Sequence, residues 1–220
     1  MPCDTYYMYK IASPGVLQDA SEYLAKKDSI LAPIIAAHSP CTIEPHRNYY
    51  QELVDSIIGQ QLSVKAARSI RQRFYALFGG NELPEPAEIL SKSVEELRTA
   101  GLSGAKARYV QDLALHVLEG RLKFDKIDDL SNAEVAKELT AVKGIGEWTA
   151  HMFMMFCMGR LDILPVGDLG IKNGIKKLYG LTELPDADKI REIAALGNWH
   201  PYESVASWYI WQSLDNSPAN

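Results

Sequence analysis

The sequence has 220 residues, 47% of them hydrophobic and 23% charged, with a formal net charge of −5. A chain of this size holds one domain or two small ones around a real core. It contains no apolar run long enough for a membrane span and no basic-then-apolar start that would mark secretion. The cysteines Cys3, Cys41 and Cys157 form no CxxC pair, which argues against a disulfide framework and against a zinc or iron–sulfur site. The expectation is a protein that is not secreted, in a bacterial cytoplasm or a nucleus. The negative balance argues mildly against nucleic acid but does not exclude it, because local patches and helix N-termini hold phosphates.

The apolar spacing predicts helices nearly throughout. Leu53, Ile57 and Ile58 recur at helical intervals in 50–59. Val64, Ala67, Ile70, Phe74 and Leu77 do so in 63–80, which ends on two glycines. Pro86 opens a short helix over 86–90. Ser103 caps 104–118, and Gly120 stops it. Ser131 and Glu134 form a capping box that opens 132–142. Asp186 caps 187–196, and Pro201 opens a last helix through Val205, Trp208, Tyr209 and Ile210. Only the first ten residues look extended. The fold class is therefore all-α, with roughly ten helices joined by short loops.

The segment 139–168, LTAVKGIGEWTAHMFMMFCMGRLDILPVGD, carries the most information. Gly144 and Gly146 flank Ile145 between two helical patterns, and Trp148, Thr149 and Ala150 begin the second without a linker. Alone this is a helix stop followed by a new helix. It is also a turn that lets a phosphate approach the backbone, with the next helix aiming amides at it and Lys143 adding charge. Asp168 lies about twenty residues further on, in PVGDLG. Alone it is a helix N-cap, and that role also holds a carboxylate rigidly in place. The run from Met152 to Met158 is apolar all round and reads as a mostly buried helix.

Together these motifs resemble the helix-hairpin-helix DNA glycosylase superfamily, and within it the alkylation branch, the DNA-3-methyladenine glycosylase II type. The resemblance rests on the hairpin 139–150, on Leu164-Pro165-Val166-Gly167-Asp168, and on Gly59-Gln60-Gln61-Leu62-Ser63-Val64, and it runs from about residue 48 to 211. It implies a two-lobed helical fold without the extra N-terminal α/β domain of larger members. One lobe would be 48–164 and the other 1–47 with 165–220, with the active cleft between them. It implies a monofunctional enzyme that flips alkylated purines out of double-stranded DNA and hydrolyses the N-glycosidic bond in base excision repair. Asp168 would be the catalytic residue. Trp148, Met152 and Tyr202 would line the base pocket, and Met152 departs from the aromatic that some relatives carry. Trp148 also stands where strand-nicking relatives have a lysine, and indole forms no imine.

Gln60, Gln61, Leu62 and Ser63 would supply the plug for the gap in the duplex. Lys65, Lys143, Gly144, Gly146 and Thr149 would join them in DNA binding, with Arg68 and Lys106 as weaker candidates. No cofactor is required by this reading. A structural Na or K ion could sit on the backbone carbonyls of Thr140, Val142 and Ile145. A monomer is expected. Two readings compete: a hairpin module that binds DNA without catalysis, which the presence of Asp168 disfavours, and a glycosylase for another damaged base, which Trp148 and the lack of a cysteine cluster disfavour.

Overall fold

The computed structural model describes residues 10–38, 40–80 and 82–215. The expected extended start, residues 1–10, lies outside these except for Lys10; next to it, Ile11 forms an isolated antiparallel bridge with Arg160. All regular elements among the described residues are helical: α1 (Pro14–Lys27), α2 (Leu31–Ala37), α3 (Tyr49–Gly59), α4 (Val64–Ala76), α5 (Pro86–Ser91), α6 (Val94–Thr99), α7 (Gly104–Leu118), α8 (Asn132–Thr140), α9 (Glu147–Met152), α10 (Leu169–Leu178), α11 (Ala187–Leu196) and α12 (Glu203–Asp215). The chain divides into two compact units, Arg47–Phe153 and Met1–His46 with Met154–Asn220. The second boundary thus falls at 153/154, where the sequence suggested 164/165.

Side chains that satisfy helix-start amides set many of the boundaries. Ser63, Ser93, Ser103 and Ser131 each accept from the amide three residues on, in the unit Arg47–Phe153. Ser93–Glu96 and Ser131–Glu134 close full capping boxes. Asp168 and Asp186 likewise accept from the amide three residues on and so cap α10 and α11. One expectation needs correction. Pro201 does not open α12: the Tyr202 amide folds back onto the Trp199 carbonyl at 2.6 Å, and the helix starts at Glu203. The apolar run after Met152 is mostly buried and helical as expected, winding as a π-helix over Phe153–Cys157.

The unit Met1–His46 with Met154–Asn220 packs α1, α10, α11 and α12 around Leu24, Ile171, Ile175, Ile190, Trp199, Val205 and Ile210, all buried. Asp28, just past α1, ties this core together. Its Oδ1 accepts from the Ile30 and Leu31 amides at 2.9 and 3.2 Å, and its Oδ2 from Trp199 Nε1 at 2.7 Å and from the Tyr179 hydroxyl. A buried carboxylate with this many donors is satisfied rather than penalised. Gly174 lets α10 approach α12 closely, because a Cβ there would stand 2.3 Å from Ile210 Cγ2.

Candidate active site and nucleic-acid interface

Within the unit Arg47–Phe153, the hairpin forms as the glycines require, though only one uses the left-handed region. Gly144 has φ +86°, and a Cβ on it would fall 2.2 Å from Tyr109 Cδ2. Gly146 is extended, with φ −96° and ψ 174°, and a Cβ there would meet open space. Ile145 packs inward, and its amide closes the turn on the Val142 carbonyl at 3.1 Å. Gly146 is the N-cap of α9 and has no side chain to bond the first amides.

The cations nearby are arranged less simply than the sequence suggested. The Lys143 amide donates to Asp112 Oδ2 at 2.9 Å, and its ammonium lies 3.4 Å from Asp112 Oδ1. Asp112 therefore braces the turn through both the amide and the exposed ammonium of Lys143. Lys106 donates to the Ile58 and Gln60 carbonyls at 2.8 and 2.6 Å, so it caps the C-terminus of α3. Burial holds its ammonium below the usual lysine range. Lys65 is exposed, and Thr149 is buried, so any contact from Thr149 to DNA would be through its amide.

The loop 60–63 meets the hairpin directly. Gln60 Nε2 donates to the Gly144 carbonyl at 2.7 Å. Gln60 is thus a tie between loop and hairpin, a role its sequence position did not disclose. Gln61 holds a left-handed φ of 58° and is exposed, a strained placement for a residue with a Cβ. Leu62 is exposed beside it, and Val64 is 87% exposed. Ser63 is occupied as the cap of α4, accepting from the Ala66 amide at 3.3 Å. Trp148, the second residue of α9, is 50% exposed, and Met152 at its end is half-buried.

In the unit Met1–His46 with Met154–Asn220, a turn presents Asp168. The Asp168 amide donates to the Pro165 carbonyl at 2.9 Å. Its Oδ1 accepts from the Ile171 amide at 2.7 Å and from Trp211 Nε1 at 2.9 Å. The first bond is the expected cap. The second comes from α12 and could not be read from spacing. Gly170 completes the seat, because a Cβ there would lie 2.9 Å from both Asp168 Oδ1 and the Trp211 indole. Phe156 packs on Trp211 at 6.0 Å between ring centroids. Tyr202, 7% exposed, meets Tyr23 edge-on at 5.3 Å between centroids. The Lys10 ammonium donates to the Tyr202 hydroxyl and lies 4.5 Å from its ring centroid.

Comparison with known proteins bears on the family and the fold. The family described as HhH-GPD superfamily base excision DNA repair protein matches residues 54–198. DNA-3-methyladenine glycosylase 1 of Schizosaccharomyces pombe is 32% identical over 187 residues, 83% of this chain and 80% of that protein. A crystal structure of a DNA-3-methyladenine glycosidase from Bacillus halodurans superposes with a TM-score of 0.80 at 40% identity, covering 94% of this chain and 93% of that one. A Schizosaccharomyces pombe 3-methyladenine DNA glycosylase in complex with abasic DNA superposes with a TM-score of 0.79 at 27% identity, covering 92% and 99%. The fold, the hairpin and the extent of these matches place the chain in the HhH-GPD superfamily of base excision DNA repair proteins.

Proposed function

We propose that the protein is a monofunctional DNA glycosylase that removes alkylated purines from double-stranded DNA. The observation that carries this reading is the Asp168 carboxylate, held at the start of α10 by the Ile171 amide and the Trp211 indole. A fixed negative charge lowers the barrier to a reaction that builds positive charge on the sugar. The bond from C1′ to the purine nitrogen breaks with its electron pair going to the base. An N3- or N7-alkylated purine is cationic and therefore departs neutral, with little need of an acid. Asp168 stabilises the deoxyribosyl cation, and water adds at C1′ and gives up a proton, leaving an abasic site. Asp168 can orient that water or take its proton.

The hairpin turn and the exposed Lys143 suit a DNA phosphate, and Gln61 and Leu62 suit the gap left by a flipped base. Trp148, Met152 and Tyr202 are assigned to base recognition. Trp148 in place of an amine supports hydrolysis without strand cleavage. The backbone carbonyls of Thr140, Val142 and Ile145 are neutral oxygen donors of the kind an alkali ion takes, and a Na or K ion there would stiffen the turn. The active species is proposed to be a monomer.

The test is incubation of the purified protein with methylated duplex DNA, followed by analysis of free bases and, separately, alkali treatment. Release of 3-methyladenine or 7-methylguanine, with strand breaks only after alkali, is the expected result. Binding to the duplex with no base released would favour a non-catalytic module, and preferential release of 8-oxoguanine would move the protein to another lesion class.

A further inference from the structure

Within the unit Arg47–Phe153, the segment that leaves α7 gathers cations. Gly120, with φ +65°, turns the chain, and the amides of Arg121 and Leu122 fold back onto the His116 carbonyl at 2.9 and 3.0 Å. The Lys126 amide then closes on the Lys123 carbonyl at 3.2 Å. Gly120, Arg121, Lys123, Lys126, Leu130 and, from α8, Glu138 line a cavity of about 240 Å³. Three cations thus meet in a chain whose net charge is −5. Arg121 is held from two sides, by the Glu119 carboxylate and by His116 Nε2 at 3.0 Å. Lys123 and Lys126 are exposed, and among the described residues neither ammonium has an ion-pair partner. Glu138 Oε2 is buried and accepts no hydrogen bond. A buried carboxylate oxygen of this kind calls for a donor.

A ligand for this cavity has two demands to meet: negative charge for the cations and a hydrogen for Glu138. Sulfate and the phosphodiesters of DNA bring the charge but carry no proton at neutral pH, so their oxygens would repel the Glu138 carboxylate. Orthophosphate, as HPO₄²⁻, brings both. We propose that the cavity is an orthophosphate site, in which Arg121, Lys123 and Lys126 hold the ionised oxygens and the P–OH group donates to Glu138 Oε2. Charge-assisted bonds from lysine and arginine suit a phosphate oxygen, and the carboxylate makes the proton a condition of entry. A phosphomonoester offers the same chemistry only in acid, because it loses its last proton at a pH of about 6. The site stands apart from the residues assigned to catalysis and to DNA.

Isothermal titration calorimetry of the full chain at neutral pH and constant ionic strength tests this, with orthophosphate, sulfate and glycerol 2-phosphate as probes. Orthophosphate should bind about tenfold to 150-fold more tightly than sulfate, the worth of one hydrogen bond to a charged group. Glu138→Gln, whose amide can donate to either anion, should abolish that preference while still binding both. Lys123→Ala with Lys126→Ala should weaken both anions alike. Glycerol 2-phosphate should bind as weakly as sulfate at neutral pH and gain on it in acid. Orthophosphate and sulfate binding equally to the parent would overturn the role of Glu138, and a monoester as tight as orthophosphate at neutral pH would do the same. Unaltered orthophosphate binding by the double lysine variant would place the ion elsewhere, and no heat from orthophosphate beyond that from chloride would overturn the site altogether.

Discussion

Asp168→Asn separates the two roles of this residue, because asparagine keeps one and loses the other. Oδ1 accepts both structural bonds, from the Ile171 amide at 2.7 Å and the Trp211 indole at 2.9 Å. An amide oxygen accepts the same two donors, and asparagine equals aspartate as an N-cap. The folded state therefore loses only the charge–dipole term at the start of α10, about 0.3–1 kcal/mol. For a domain of this size that lowers Tm by roughly 1–4 °C. The transition state loses a fixed charge opposite a developing cation, about 3–4 kcal/mol by analogy with removal of one preorganised group, or roughly 100- to 1000-fold in rate. The assay is single-turnover release of 7-methylguanine at saturating protein, with thermal melts on the same preparations. A rate for Asp168→Asn within threefold of the parent would refute the catalytic assignment. A fall of more than about 8 °C in Tm would show instead that the exchange is not structurally neutral.

Trp211→Phe removes the indole donor and keeps the packing against Phe156, so the carboxylate should wander and the rate fall about tenfold, as expected for loss of one hydrogen bond to a charged group; Gly170→Ala should do at least as much by crowding the same oxygen, and parent-like rates from both would remove Trp211 from the positioning role. Gly144→Ala should destabilise by at least 1–2 kcal/mol from its left-handed backbone alone, with further loss against Tyr109 and weaker duplex binding, whereas Gly146→Ala should melt like the parent; equal melting temperatures for the two variants would contradict the geometry. Burial raises the Glu203 carboxyl above its ordinary 4.5, so the folded state favours the protonated form. That contribution is complete below pH 4.5 and is lost as pH rises through the folded value. Glu203→Gln should accordingly melt above the parent at pH 8 and converge with it near pH 4, and a difference independent of pH would sink the explanation.

The helices and their starts were legible because each start is local chemistry. A serine or aspartate accepting an amide three residues on is written in adjacent letters, as at Ser103, Ser131, Asp168 and Asp186. The hairpin was legible for the same reason, since Gly144 needs a conformation that other residues resist. What spacing did not disclose are partners brought in from afar. Trp211 reaches Asp168 from 43 positions away, Gln60 reaches Gly144 across 84, and Lys106 reaches the end of α3 across 46 and 48. Lys106 and Gln60 both looked like groups for DNA, because a polar side chain beside a binding motif shows its chemistry but not its partner. The π turn after Met152 was hidden for a related reason: an all-apolar run has no polar face from which to read the period.

The bond from Gln60 to the Gly144 carbonyl has a mechanical consequence. It joins the loop that carries Gln61 and Leu62 to the turn that leads into α9, and both ends are braced again, by Lys106 on one side and by Asp112 and Tyr109 on the other. The two parts therefore behave as the jaws of a calliper with a locked setting. If, as proposed, the turn takes a phosphate and the loop takes the gap left by a flipped base, a strand held by one would be tested by the other at the same step.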